Sequence, residues 1–271
     1  MDSNSVVKAE PDRPRYFLIG VWDRYSTWTA RVRVLLDFYS IPYDMRMFNL
    51  WHESREEFDT ISPSGLVPVL IDNKYDPPLK INDSLAILLH LADEHPSLPL
   101  FPADPYLRTI ARCAAAEMHS GFTALRNEFC ASFLAKYEGA IPISDAAEKD
   151  IARVLQLWGN ARRKTVERAS EAGSTVKDEG FLCGEFGIVD AFFWPVLWRF
   201  RSFNLPLTTA TPEAIEWTRK MWSDPQLKKV GKDYFQQAEN PRSKIDRYDD
   251  LFKGVEGITY GKFDEEWTFH P

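Results

Sequence analysis

Short apolar runs and amphipathic segments alternate along the N-terminal part of the chain. Residues 15–22 form an apolar run rich in β-forming side chains, which is typical of a buried strand. Residues 29–39 carry apolar side chains at the i, i+3, i+4 and i+7 positions of an amphipathic helix. Similar patterns predict these further elements: strands at 43–50, 67–71 and 79–81, and helices at 53–61 and from residue 84 onward. The resulting order βαβαββα predicts one small α/β domain over residues 15–97.

The pattern becomes helical after a proline-rich segment. Four prolines lie between residues 96 and 105, so we expect a linker at 98–103. Beyond it, long segments keep apolar residues on one helical face: 104–137, 144–172, 188–200 and two more that begin near 212 and 225. We therefore predict an all-helical domain over residues 104–239.

Both ends of the chain lie outside these two predicted domains. Residues 1–14 are polar and charged and are expected to form an arm. Residues 240–271 differ, because they carry six aromatic side chains: Tyr248, Phe252, Tyr260, Phe263, Trp267 and Phe269. Disordered segments are depleted in such residues, so we expect this tail to pack on the body, over a pocket or over a structural seam.

Composition and charge narrow the class of protein. Among 271 residues, 44% are hydrophobic and 27% charged, as in ordinary globular proteins. A net charge of −7 argues against nucleic-acid binding. Cys113, Cys130 and Cys183 are odd in number and widely spaced, which favours a reducing compartment without disulfides. With no signal peptide and no apolar run long enough for a membrane span, we expect a soluble, cytoplasmic protein.

Common catalytic and metal motifs are missing from the sequence. There is no GxSxG, HExxH, P-loop or GxGxxG motif, and the five histidines lack ligand spacing. We therefore expect no metal cofactor.

Three local features remain, and each also has an ordinary structural explanation. A proline at the start of a strand, Val67–Pro68, fits an edge position or a cis bond that leaves the backbone of Val67 free for an extended peptide. The pair Asp83–Ser84 caps a helix, and helix N-termini also bind carboxylates. Ser26 precedes the first helix, where it is a simple loop hydroxyl or a partner for a thiolate.

Together and in this order, these features resemble the glutathione S-transferase family. The resemblance is carried by four segments, namely residues 25–36 (YSTWTARVRVLL), 62–70 (SPSGLVPVL), 82–91 (NDSLAILLHL) and 181–200 (FLCGEFGIVDAFFWPVLWRF). It implies a thioredoxin-like N-terminal domain, an all-α C-terminal domain and a homodimer. In the last segment Asp190 matches the family's helix-opening motif, but Gly187 stands where Ser or Thr is usual.

The resemblance also implies a role for particular residues. Ser26 would donate a hydrogen bond to the sulfur of glutathione, with Thr27 as the fallback donor. The cysteinyl part of glutathione would pair with Val67 and Pro68, and its γ-glutamyl end with Asp83 and Ser84. Two further positions are less defined: Leu66 replaces a side chain that is often polar, and His52 or Arg55 is a candidate for the glycyl carboxylate.

The implied activity is attack of the glutathione thiolate on a small apolar electrophile. The candidate pocket residues are Met118, His119 and Phe122, and Met118 and Phe122 fit the core equally well. Relatives that reduce thiols use a cysteine at the position of Ser26, which this chain lacks. Two alternatives stay open: a glutathione-dependent isomerase of the maleylacetoacetate type, and a non-catalytic binding or scaffold protein.

Overall fold

The structure is a computed structural model that describes residues 14–49, 55–62 and 64–270. Its elements follow in chain order: β1 (Tyr16–Val21), α1 (Thr27–Phe38), β2 (Tyr43–Phe48), α2 (Arg55–Ile61), β3 (Val69–Asp72), β4 (Leu79–Asn82), α3 (Ser84–Glu94), α4 (Pro105–Ser120), α5 (Thr123–Glu128), β5 (Ala135–Gly139), α6 (Asp145–Ala169), α7 (Ile188–Ser202), α8 (Pro212–Ser223), α9 (Pro225–Glu239), α10 (Asp246–Asp249) and β6 (Ile258–Lys262).

The N-terminal elements form a four-stranded sheet in the order β2-β1-β3-β4. Strands β1 and β2 are parallel, whereas β3 is antiparallel to β1 and β4 is antiparallel to β3. Successive side chains of β1 point to opposite faces, so Leu18 joins the main core with α1 and α3, while Ile19 packs with Phe58 of α2. The predicted order βαβαββα is confirmed, as is the thioredoxin-like fold followed by a helical region.

Several element boundaries differ from those predicted, and two of the differences have clear local causes. Helix α1 begins at Thr27 rather than at residue 29, because Ser26 is its N-cap and accepts a hydrogen bond from the backbone N–H of Thr29. Strand β3 begins at Val69 rather than at Val67, because Pro68 has no N–H to donate to the ladder.

Helix α7 is the centre of the helical region and is buried along almost its whole length. At its N-terminus, Asp190 is fully buried and accepts hydrogen bonds from the N–H of Leu182 (2.9 Å), the N–H of Gly187 (3.1 Å) and the indole of Trp217 (2.8 Å). Burial raises the pKa of Asp190 to about 6, although these donors act in the opposite direction. One carboxylate thus joins the preceding turn, α7 and α8.

Close packing explains why a glycine stands at the N-cap of α7. A Cβ on Gly187 would lie 3.0 Å from the carbonyl oxygen of Leu100, which also accepts a hydrogen bond from the N–H of Ile188 at 3.0 Å. A Ser or Thr side chain at this position would have to displace the backbone at Leu100. Asp190 alone therefore supplies a side-chain acceptor at the start of α7.

The prediction of one helix over residues 104–137 is wrong. Helix α4 ends at Ser120, Phe122 adopts a left-handed backbone conformation with φ of 57°, and α5 is short. Residues 135–139 then form strand β5, which pairs antiparallel with β6 near the end of the chain. Apolar periodicity suggested a helix because Phe129 and Phe133 are buried, but they are buried in irregular backbone.

The aromatic tail contacts the helical region. Tyr260 of β6 lies opposite Tyr137 of β5, with ring centroids 5.6 Å apart. Further along, the ring of Trp267 packs 5.1 Å from that of Trp222 on α8. The domain boundaries drawn from the sequence stay predictions.

We expect Asp190→Ala to lower the free energy of unfolding by roughly 3 kcal/mol or more, since it leaves three buried N–H groups without an acceptor. Asp93→Ala, at an exposed position of α3, is the matched control and should cost about 0.5 kcal/mol or less. Urea unfolding followed by circular dichroism measures both. Equal stabilities of the two variants would contradict the role given to Asp190.

Candidate functional site

A cavity of about 370 Å³ lies where the N-terminal sheet region meets the helical region. Four parts of the chain supply its walls: the loop and first turn of α1, the segment before β3, the region between α5 and β5 with α7, and the start of the tail. The lining residues are Val21, Tyr25, Ser26, Thr27, Trp28, Arg55, Gly65, Leu66, Val67, Arg126, Cys130, Ala131, Arg199, Ile245 and Tyr248.

Ser26 lies at the N-terminal end of α1, facing this cavity. Its Oγ accepts a hydrogen bond from the N–H of Thr29 at 3.3 Å and lies 3.0 Å from the hydroxyl of Thr29. When the Thr29 hydroxyl donates to Ser26, the Ser26 proton is left for a ligand. The positive end of the helix dipole favours an anion at this position. Thr27 also lines the cavity and is more deeply buried than Ser26.

Val67 lies on the same cavity, and its bond to Pro68 is cis. Neither backbone group of Val67 takes part in a hydrogen bond with the described residues. The side chain of Leu66 beside it is 70% exposed at the rim. An extended ligand therefore finds an unused backbone donor and acceptor next to an apolar rim.

Asp83 and Ser84 form the N-terminus of α3. Asp83 has a φ of 77° and accepts hydrogen bonds from the N–H groups of Leu85 (2.8 Å) and Ala86 (3.2 Å). The Oγ of Ser84 is buried and has no hydrogen-bond partner among the described residues. A buried hydroxyl without a partner at a helix N-terminus suits the carboxylate of a ligand.

His119 lies between the residues on the cavity and the residues at the N-terminus of α3. Ser26 and Val67 line the cavity directly, whereas Asp83 and Ser84 do not. The Nε2 of His119 lies 3.4 Å from a carboxylate oxygen of Asp83, and its ring meets that of Trp28 edge-on at 5.6 Å. Since Trp28 lines the cavity, the N-terminus of α3 lies beside the cavity.

The candidate pocket residues Met118, His119 and Phe122 lie outside the lining of this cavity. Met118 is fully buried in the core, and Phe122 is 6% exposed. Neither lines the cavity, because α4 ends before Phe122 and the chain changes direction there. Arg55 lines the cavity, where it donates to the carbonyl of Gly65 at 3.0 Å, and His52 lies outside the described residues.

Sequence analysis missed three arginines at this site. Arg126 and Arg199 line the cavity, and Arg31 lies fully buried between the rings of Trp28 and Phe192, 4.5 Å from each centroid. Burial lowers the pKa of Arg199 to about 10 and that of Arg31 well below its ordinary value, and in each case a neighbouring arginine acts in the same direction.

Two of these guanidinium groups, those of Arg199 and Arg31, are incompletely paired. Arg199 donates from Nε to the carbonyl of Phe129 at 2.8 Å, but one of its terminal nitrogens is buried without a partner among the described residues. Two nitrogens of Arg31, its Nε and one terminal nitrogen, are also buried without a partner among the described residues. An arginine inside the apolar run 188–200 was the one sequence signal for this feature. The result is a wall of the cavity with excess positive charge.

A buried ion-pair network supports the loop that carries Ser26. Arg33 on α1 contacts Asp23 at 3.1 Å and Asp233 on α9 at 2.6 Å. Gln237, also on α9, donates to Asp23 at 2.6 Å. The loop before α1 is therefore fixed to the helical region by side chains from both sides.

Neither a metal site nor a membrane-spanning helix is present among the described residues. Within residues 14–49, 55–62 and 64–270, no three His, Cys, Asp or Glu side chains are grouped to hold a metal ion. In the same part of the chain, no helix is both long and apolar enough to cross a membrane.

Sequence comparisons identify relatives of this chain. A family model described as "Glutathione S-transferase, N-terminal domain" matches residues 25–94. A maleylacetoacetate isomerase of Dictyostelium discoideum is 30% identical over 159 residues, which is 56% of this chain and 68% of the relative. Glutathione S-transferase Z2 of Arabidopsis thaliana is 34% identical over 109 residues, 38% of this chain and 47% of the relative. The matched segments thus span about half to two-thirds of these relatives.

Solved structures share the fold at lower identity. The structure described as Ure2p in complex with glutathione has a TM-score of 0.58 at 21% identity and covers 82% of this chain and 95% of that chain. A Tau class glutathione S-transferase of mango, Mangifera indica, has a TM-score of 0.55 at 24% identity and covers 83% of this chain and 97% of that chain.

We expect Arg33→Met to lower the free energy of unfolding by roughly 3–5 kcal/mol at neutral pH, because it leaves Asp23 buried without its cation. Burial already raises the pKa of Asp23, so the folded state takes up a proton more readily than the unfolded state. The loss should therefore shrink as the pH is lowered.

Urea unfolding at several pH values measures this effect. Arg163→Met, at an exposed position of α6, is the matched control. A loss that is independent of pH, or no larger than that of the control, would rule out the proposed network.

Proposed function

Because the chain belongs to the glutathione S-transferase family, we propose that it binds glutathione beside α1 and α3 and uses Ser26 to stabilise the thiolate. The observation that carries this proposal is the placement of Ser26 and Val67 on one cavity, with a serine hydroxyl that can accept from Thr29 and donate to a ligand, and an unpaired backbone edge at Val67. These are the groups that a thiol-bearing, extended peptide requires.

Each part of glutathione has a partner of matching chemistry. The N–H and C=O of Val67 pair with the cysteinyl residue as in an added strand. The hydroxyl of Ser84 and the N-terminus of α3 receive the α-carboxylate of the γ-glutamyl group, and the Asp83 carboxylate, 47% exposed, receives its ammonium group. Arg55 at the cavity rim is suited to the glycyl carboxylate.

Ser26 acts on the thiol through one hydrogen bond. Its Oγ accepts from Thr29, so its own proton is donated to the sulfur of glutathione. A hydrogen bond to the charged form of an acid favours ionisation, and the helix dipole acts in the same direction. The thiol proton passes to solvent, and the thiolate attacks the electrophile.

The transferase and isomerase reactions require different second substrates. The rim of Tyr25, Trp28, Leu66, Ile245 and Tyr248 suits the apolar electrophile of a transferase, in which the carbon–sulfur bond persists. A specific observation also favours an isomerase. Arg126 and Arg199 present positive charge to the same cavity, which suits a carboxylate on the substrate. In that reaction the thiolate adds to a double bond, rotation follows, and the thiolate leaves.

Glutathione consumption separates these reactions. A transferase consumes one glutathione for each product formed, whereas an isomerase converts maleylacetone without net consumption. A binding or scaffold protein would bind glutathione with no turnover of either substrate. A homodimer and a cytoplasmic location are further proposals that rest on the family resemblance.

We expect Ser26→Ala to lower kcat/KM by about 10- to 100-fold with little change in glutathione affinity, since the lost hydrogen bond acts on the thiolate. Ser84→Ala should instead weaken glutathione binding by about tenfold and leave kcat nearly unchanged. Steady-state kinetics and isothermal titration calorimetry measure the two effects.

Thr27→Ala is the control for Ser26→Ala. If Thr27→Ala loses activity while Ser26→Ala keeps it, Thr27 is the donor and the assignment of Ser26 is wrong. If the unmodified protein fails to bind glutathione at millimolar concentration, both enzyme proposals fail.

A further inference from the structure

One of the three cysteines lies on the cavity of Ser26. Cys130 follows the end of α5 by two residues and lines the cavity together with Ala131. It is partly exposed, and its Sγ donates a weak hydrogen bond to the carbonyl of Asn127 at 3.5 Å. A thiol and the Ser26 hydroxyl, beside which we place the sulfur of glutathione, therefore share one cavity.

The other two cysteines provide a comparison within the chain. Cys113 on α4 is exposed, Cys183 before α7 is buried, and neither lines the cavity of Ser26. Burial raises the pKa of Cys183, and Asp190 acts in the same direction. Reactive cysteines are partly exposed and lie in electropositive surroundings, whereas buried ones are inert. Cys130 meets both conditions, because it is partly exposed and shares its cavity with two arginines.

The guanidinium groups of Arg199 and Arg126 carry the positive charge beside Cys130. Arg199 is 4% exposed, and its Nε donates at 2.8 Å to the carbonyl of Phe129, the residue before Cys130. Cys130 partly opposes the lowering of the pKa of Arg199, as a group close to the guanidinium does. Arg126 donates to the carbonyl of His119 at 3.3 Å. Both arginines thus bond to neutral carbonyls, and the buried Nη1 of Arg199, without a partner among the described residues, calls for an acceptor from a ligand.

A ligand that suits this wall offers a sulfur to Cys130 and carboxylates to the arginines. Glutathione disulfide does both, because one half can occupy the glutathione site at Ser26 while the other half brings two further carboxylates to Arg126 and Arg199. We propose that the cavity binds glutathione disulfide across its two walls and that Cys130 attacks it to form a mixed disulfide with glutathione. This inference rests on the proposed function, since one half of the ligand uses the site at Ser26.

The exchange is balanced in atoms and electrons. The thiolate of Cys130 attacks the sulfur of the half beside the arginines, a bond forms between these two sulfurs, and the disulfide bond of the ligand breaks. The electron pair of the broken bond goes to the sulfur of the other half, which leaves as a thiolate beside the Ser26 hydroxyl. The proton that Cys130 gives up to solvent is matched by one that the released glutathione takes up. Cys130 is oxidised and glutathione disulfide is reduced, so no other oxidant is needed.

The mixed disulfide has a consequence for the proposed activity. The attached glutathionyl group occupies the wall of Arg126 and Arg199, where the second substrate would bind. Turnover therefore stops until another thiol attacks the mixed disulfide and restores Cys130. The cavity would thus respond to the ratio of glutathione disulfide to glutathione.

The first experiment incubates the reduced full chain with glutathione disulfide and follows each cysteine by mass spectrometry of its peptide. We expect one glutathionyl group per chain, on Cys130, and modification of the more exposed Cys113 at least about tenfold slower, because the ligand is held beside Cys130. Saturating S-hexylglutathione should protect Cys130 and leave the rate at Cys113 unchanged. Equal rates at the two cysteines, or no protection of Cys130, would overturn the proposal.

Arg199→Met should slow modification of Cys130 by about tenfold or more, since it removes a charged donor to a carboxylate of the ligand. Arg163→Met, at an exposed position of α6, is the matched control and should leave the rate unchanged. Arg126→Met serves as the second variant if Arg199→Met does not fold. An unchanged rate in the folded variant would show that these arginines do not hold the disulfide, and the proposal would fail.

Activity and binding measurements separate this inference from the proposed function. After treatment with glutathione disulfide, activity should fall in proportion to the fraction of Cys130 that is modified, whereas Cys130→Ser should keep the activity it had before treatment. Isothermal titration calorimetry of the reduced chain measures binding of glutathione itself. If glutathione binds but Cys130 is not modified, the proposed function stands and this inference is wrong. If glutathione does not bind and Cys130 is not modified, both are wrong.

Discussion

The ion pair between Arg33 and Asp23 is the interaction on which the arrangement of the site depends. Asp23 is fully buried and precedes α1, and Arg33 reaches back from the second turn of that helix to meet it. The same guanidinium contacts Asp233 on α9. The start of α1, and with it Ser26, is thus fixed relative to both the sheet and the helical region. A charge buried at such a junction tolerates few alternative arrangements, since any shift leaves it unpaired.

The cavity at this junction has two chemically different walls. The N-terminal region supplies groups for an extended peptide: the Ser26 hydroxyl, the backbone of Val67 and the N-terminus of α3. The helical region supplies positive charge through Arg126 and Arg199. Glutathione would occupy the first wall, and the nature of its reaction partner would be set by the second. The sequence resemblance implied an apolar second substrate, whereas Arg126 and Arg199 also suit a second substrate that carries a carboxylate.

The N-terminal region could be predicted well from its sequence, because its signals are local. Short apolar runs, amphipathic helical spacing, the Ser26 and Asp83 caps and the proline after Val67 all act within a few residues of where they stand. The same holds for α8 and α9, whose Thr211–Pro212 and Asp224–Pro225 starts match the structure.

The features that sequence analysis missed depend on distant partners. Strand β5 pairs with β6 far along the chain, so its apolar residues fitted a helical pattern equally well. Arg126 and Arg199 on the cavity and the buried Arg31 near them come from α5, α7 and α1, and nothing in their spacing indicates that they meet. Gly187 departed from the family pattern, and the carbonyl of Leu100 now accounts for it.

We have proposed that Ser26 stabilises the thiolate of bound glutathione, and the pH titration of that thiol is the sharpest test of this role. Ultraviolet absorbance of the thiolate, recorded against pH with the protein in excess, reports the pKa of the bound thiol. We expect a pKa at least roughly one unit below the value of about 8.5 for a free thiol, and a return toward that value in Ser26→Ala. A bound thiol that titrates as it does in free solution would contradict the claim.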